Sequence, residues 1–147
     1  DRIILGECRG AEAVDMLQAM NTGHDGSMST LHSNSPRDAL IRLENMLLMG
    51  AVNMPLLAIR RQIAGAVHLI VQIARMRDGM RRIQSVTEIV GMEGDVIVTQ
   101  DLFTFEFEGE GPDGKLVGSF KSSGVRPRFL EKARMYGLDG ALLEAMK

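Results

Sequence analysis

Residues 1–34 restrict the fold more than any other stretch. Ile3-Ile4-Leu5 is a short apolar run that reads as a fully buried strand, and it ends in Gly6-Glu7-Cys8-Arg9-Gly10. A helical stretch follows, Ala11 to Thr22, with Val14, Leu17, Ala19 and Met20 at helical spacing and Gly23 as a left-handed stop. A second strand, Ser27 to Leu31, ends in His32. Strand, helix and strand in that order suit an open parallel α/β sheet, where ligands sit beyond the carboxyl ends of the strands. Glu7 is the first acid after the buried strand and would project into that crevice, and His32 would arrive at the same edge. A carboxylate so placed can hold a water on Mg²⁺ or turn a water toward a γ-phosphate.

The rest of the chain changes character twice. Ser35-Pro36-Arg37-Asp38 is a helix start, with Ser35 as N-cap and Pro36 in the first turn. That helix runs to about Met49 with Leu40, Leu43, Met46 and Leu47 on its core face, and Gly50 ends it. Pro55 opens another, Leu56 to Ala66, with Ile59 and Ile63 one turn apart. From Val67 to Ile73 the β-branched content predicts a strand, Asp78-Gly79 a two-residue hairpin turn, and Met80 to Val90 the returning strand. Val96 to Thr99, Leu102 to Glu108 and Leu116 to Phe120 continue an antiparallel meander. Arg126-Pro127-Arg128-Phe129-Leu130 starts a short helix to Tyr136, and Asp139 caps a last one, Gly140 to Met146.

The 147 residues give room for one compact domain with a real core, and a net charge of −2 offers no electrostatic case for nucleic acid or an anionic membrane. The single cysteine, Cys8, excludes an internal disulfide and suits a reducing cytoplasm. The apolar run from Ile63 to Ala74 is too short to span a bilayer, and no signal peptide is visible. The eleven methionines read as core filler.

Ile3 to Gly10 resembles the Walker B motif of the secretion (traffic) ATPases of type II and type IV secretion and type IV pilus assembly. Thr22-Gly23-His24 through Thr30-Leu31-His32 resembles their histidine box. The stretch Asn21 to Ser27 and the eight-residue step from His24 to His32 are most similar to the tight-adherence (Flp pilus) branch. The likeness continues through Ser35 to Ala39 and Glu88 to Asp95, and reaches Arg126 to Leu130. It implies the C-terminal part of a RecA-like P-loop NTPase domain, an α/β fold with an antiparallel β extension and small C-terminal helices. Residues 1–34 would hold Walker B and the histidine box, 35–66 would be helical, 67–121 mostly β, and 126–147 helical. The Gly-Lys-Ser/Thr loop that such an enzyme needs would lie upstream of Asp1.

The resemblance further implies ATP and Mg²⁺ as cofactors, Glu7 as general base or water-orienting residue touching Mg²⁺ through water, and Arg9 as an active-site stabiliser. His32 would sense the γ-phosphate, with His24 and Thr30 on the nucleotide side. It implies a homo-oligomer, a hexamer, working in the cytoplasm at the periphery of the inner membrane against a membrane platform protein.

Each of these residues also has an ordinary reading. Glu7 could cap the next helix, Arg9 could pair with a surface acid, and Thr30 could serve only as a β-former. His24 and His32 could fix a turn, or with Asp25 form a metal site, although an eight-residue gap across a turn is a poor chelate. Gly109 to Lys115 imitates the first seven positions of a P-loop, but Leu116 replaces the Mg²⁺-binding hydroxyl and the flanks alternate as strands, which predicts a hairpin loop. Arg75, Arg77, Arg81 and Arg82 make a basic hairpin tip that could be a solvated edge or could dock on the acidic hairpin Glu106 to Asp113 in a ring. Stacking on single-stranded nucleic acid is unsupported, with no Trp and one Tyr. The alternative from another class is a non-catalytic assembly module whose acid and histidines shape an interface.

Overall fold

The computed structural model describes residues 1–50 and 53–147. The elements are β1 (Ile4–Leu5), α1 (Glu12–Asn21), β2 (Met28–Ser29), α2 (Pro36–Gly50), α3 (Leu56–Ala66), β3 (Leu69–Arg75), β4 (Arg81–Glu93), β5 (Val96–Glu110), β6 (Leu116–Ser122), α4 (Leu130–Met135) and α5 (Asp139–Ala145). They group into two compact units. The first holds Asp1–His68 and Ile89–Val98, the second Leu69–Glu88 and Thr99–Lys147.

In the first unit α1, α2 and α3 pack on one another. Their contact is aliphatic because each helix repeats apolar residues at three- and four-residue steps. Leu17, Leu47, Ile59 and Ile63 are fully buried there, with Ala13, Leu40, Leu43 and Met46 beside them. Ser35 caps α2 as expected, its Oγ accepting the Asp38 N–H at 3.1 Å. Gly23, at φ 92°, takes the left-handed step that releases the chain from α1. Arg60 on α3 grips Glu44 on α2 (2.9 Å) and donates to the Asp95 carbonyl in the turn between β4 and β5 (2.9 Å).

β1 and β2 pair in parallel, Ile4 with Met28 and Leu5 with Ser29. The parallel arrangement is as expected, but the buried strand is not: Ile4 is 71% exposed, and Ile3 and Met28 are also open. Burial of a parallel strand comes from neighbours on its faces and edges. Among the described residues the only strand bonded to β1 is β2.

The second unit carries most of a four-stranded sheet in the order β3-β4-β5-β6. β3–β4 and β5–β6 are antiparallel, the second with Phe105 opposite Phe120. Three details differ from the sequence expectation. The turn after β3 is longer than Asp78-Gly79, because the Gly79 N–H bonds the Met76 carbonyl (2.9 Å) and Gly79 sits at φ 80° before the chain rejoins β4. That is a three-residue loop with a left-handed glycine. Secondly, the two strands expected over 96–108 are one, since the polar pair between them bonds across to β4: Gln100 Nε2 donates to Glu88 Oε2, and the Thr87 hydroxyl donates to Asp101 Oδ1 (2.5 Å each). Thirdly, Asp139 lies inside α5, and the cap position is Leu138 without a side-chain bond.

The P-loop look-alike is the β5–β6 hairpin loop, closed by Gly111 N–H to the Lys115 carbonyl at 2.9 Å. Just beyond it, Gly118 meets Phe105 across the ladder. A Cβ at position 118 would stand 2.3 Å from the Glu106 carbonyl oxygen and 2.6 Å from the Phe105 ring. Gly118→Ala therefore destabilises the protein by about 1–3 kcal/mol, the usual cost of overpacking. Urea unfolding of the two proteins measures it, and equal midpoints would contradict the close approach.

Candidate functional site

The site grows from the carboxyl ends of β1 and β2. After Leu5 the chain turns through Gly6 to Gly10, and Thr30 fixes that turn at two points. Its hydroxyl donates to the Gly6 carbonyl (2.6 Å), and its own carbonyl accepts the Cys8 N–H (2.7 Å). Cys8 points inward, 1% exposed, with Sγ 3.7 Å from Met46 Sδ. Burial pushes its thiol pKa up, and Glu12 adds to the shift, so the thiol is protonated and inert at neutral pH. With Cys8 anchored inside, its neighbours Glu7 and Arg9 face outward.

Glu7, Arg9 and His32 come together there. Arg9 Nε donates to Glu7 Oε2 at 2.7 Å, and Nη2 contacts the same oxygen. His32 Nε2 lies 2.8 Å from Glu7 Oε1. Oε1 is shielded from solvent and faces that imidazole without a well-aligned hydrogen bond. The Glu7 side chain is 21% exposed, whereas Arg9 (77%) and His32 (82%) stand largely in solvent. The Arg9 hydrogen bond holds the Glu7 carboxyl below its ordinary pKa, against the opposing effect of desolvation, and the charges of Arg9 and His32 add to the lowering. Glu7 is therefore an ionised acceptor at neutral pH, with Oε2 clamped by Arg9 and Oε1 facing His32.

The other two candidates are engaged elsewhere. His24 Nδ1 is 3.2 Å from the Ala19 carbonyl at the end of α1, which makes it a donor and leaves Nε2 as acceptor in the neutral ring. Thr30 spends its proton on Gly6 and keeps only its lone pairs. Among the described residues no three His, Cys, Asp or Glu side chains gather as a metal site.

Sequence reasoning passed over Glu12. Its Oε1 accepts the N–H groups of Arg9 (2.5 Å) and Gly10 (3.0 Å), and those bonds, Arg9's first, lower its pKa. The available signal was an acid two residues after a glycine in a strand-to-helix turn, which resembles any acid at a helix start.

Two of the four arginines of the basic tip in the second unit pair with acids of the chain. Arg82 is held by Asp78 at 2.9 and 2.8 Å. Arg77 reaches Glu110 on the acidic hairpin (2.7 Å) and lies over the Phe107 ring. Arg77 and Glu110 thus pair within one chain.

A parallel strand pair joined by a helix, extended by an antiparallel sheet and small C-terminal helices, is an α/β arrangement of the RecA-like class. The family described as Type II/IV secretion system protein matches residues 1–100, and the chain belongs to it. A putative conjugal transfer protein of Mycobacterium tuberculosis is 41% identical over 96 residues, covering 65% of this chain and 27% of that protein. The conjugal transfer protein TrbB of Rhizobium radiobacter is 40% identical over 94 residues, covering 64% and 27%. Among solved structures, the VirB11 ATPase of the Brucella suis type IV secretion system, in complex with sulphate, superposes with a TM-score of 0.55 at 34% identity. That match covers 58% of this chain and 26% of VirB11. The chain thus spans about a quarter of the length of these relatives. No helix among the described residues is long and apolar enough to cross a membrane.

Proposed function

We propose that these residues form the C-terminal part of a hexameric ATPase that hydrolyses ATP to power protein secretion or Flp/type IV pilus assembly. The machine works from the cytoplasmic side, peripheral to the inner membrane, against a membrane platform protein. The observation that carries the reading is the Glu7–His32 juxtaposition, an ionised carboxylate and an imidazole 2.8 Å apart at the ends of two parallel strands. The relatives, a putative conjugal transfer protein and the VirB11 ATPase of a type IV secretion system, supply the setting.

In this reading Glu7 orients and activates the attacking water through Oε1, the oxygen that has no donor in this structure. That shielded acceptor fits a metal-bound or attacking water, so the residues present suit Mg²⁺ held through water by Glu7. The metal, when bound, supplies charge neutralisation at the transferring phosphate. His32, exposed beside Glu7, reports the γ-phosphate. Arg9 stabilises developing negative charge after releasing Glu7. His24 and Thr30 offer the nucleotide only an Nε2 and a pair of lone pairs. A Gly-Lys-Ser/Thr loop from the rest of the protein grips the phosphates.

The test compares Mg²⁺-dependent ATP turnover of the intact protein with that of residues 1–147 alone. The intact protein is expected to turn over, and the 147-residue chain to show none. An intact protein without a phosphate loop, or one that binds no ATP, would leave the non-catalytic assembly reading in its place.

A further inference from the structure

We propose that Glu12 is a positioning residue for Glu7. By holding the backbone of Arg9 and Gly10, it fixes the turn from which the Glu7 and Arg9 side chains meet. The catalytic consequence rests on the reading of Glu7 given above, but the placement itself does not.

α1 begins without a conventional cap. Ala11 occupies the N-cap position in a helical conformation and offers no side-chain acceptor. Glu12 reaches backward instead, and its Oε1 takes the N–H groups of the two residues preceding Ala11. Arg9 is consequently held at both ends, by its N–H on Glu12 and by its guanidinium on Glu7. Thr30 secures the Gly6–Cys8 side of the turn, and Glu12 secures the Arg9–Gly10 side. Between the two anchors Glu7 has its carboxylate presented in one place. Without Glu12, the backbone at Arg9 can rotate and carry its guanidinium away from Glu7.

A carboxylate that merely capped α1 would steady the helix without altering Glu7, and this difference can be measured on the 147-residue chain. NMR follows exchange of the Arg9 and Gly10 amides and of the Arg9 Nε–H in the parent, Glu12→Gln and Glu12→Ala. Glu12→Ala should speed exchange at both amides by about tenfold. It should also speed exchange of the Arg9 Nε–H, which donates to Glu7 Oε2, as the clamp loosens. Glu12→Gln keeps an acceptor, so it should fold as the parent does and show smaller changes in the same direction. In the intact protein, Glu12→Ala should lower kcat by roughly ten- to a hundredfold, as small misplacements of reacting groups do, and leave the KM for ATP within about twofold. Combined with Glu7→Gln it should cost nothing more. A folded Glu12→Ala protein whose Arg9 Nε–H stays as protected on Glu7 as in the parent overturns the proposal. Should the Arg9 Nε–H lose protection while Glu7→Gln still hydrolyses ATP normally, the positioning role stands and the catalytic reading of Glu7 is the part that fails.

Discussion

Glu7→Gln in the intact protein is expected to reduce ATP turnover by at least about a hundredfold while ATP still binds. The substitution keeps the size of the side chain and its place beside His32. It removes the negative charge that makes Oε1 a strong acceptor for water. It also ends the ion pair with Arg9, so that arginine is freed rather than lost. The expected pattern is therefore a fall in kcat with little change in nucleotide affinity, the signature of an interaction needed for the reaction and not for binding. Single-turnover hydrolysis together with fluorescent-nucleotide titration separates the two. Retained turnover would remove Glu7 from the mechanism and leave it as a turn-stabilising acid.

The largest effect on stability is expected at Asp78. Its side chain is 1% exposed and receives four donors, both Arg82 terminal nitrogens and the backbone N–H groups of Met80 and Leu116. It ties the β3–β4 turn to the first residue of β6. Removing one member of such a buried set strands the rest, Arg82 above all. Asp78→Ala should lower Tm by roughly 10 °C, given the cost of breaking a buried pair and the size of the chain. The pH dependence has a definite sign. The Arg82 hydrogen bonds, the largest cause, hold the Asp78 carboxyl far below the usual carboxylate range. The unfolded chain takes up the proton first, at about pH 3.9. The contribution is complete above that pH and shrinks as the pH falls below it toward the folded-state value. Thermal melts from neutral to acidic pH should show the gap between parent and Asp78→Ala closing at the acid end. A constant gap would mean that the carboxylate is not held by its charge.

Much of the fold could be read from residue spacing, where local chemistry decides. Leu56 to Ala66 was bounded correctly because Pro55 can start but not continue a helix and Ile59 and Ile63 repeat on one face. Ser35 was identifiable as a cap because its partner lies only three residues away. The meeting of Glu7 and His32 followed from strand order alone. What escaped depended on contacts distant in sequence or on neighbours of another kind. Gln100 and Asp101 look like a break until Glu88 and Thr87 are seen to receive them. Glu12 was missed because its bonds go to backbone, which any acid near a helix start can make. Burial of Ile3 to Leu5 was misjudged because apolar composition reports a strand's preference, while its surroundings decide the outcome.

Those uncovered aliphatic residues bear on how the 147-residue chain behaves in a test tube. Ile3, Ile4 and Met28 put hydrocarbon on a strand pair that, among the described residues, bonds to no further strand. Water is a poor host for such a surface, and crowded copies gain by hiding it against each other. Dilute samples and light-scattering controls would then keep colloidal self-association from being mistaken for a defined oligomer.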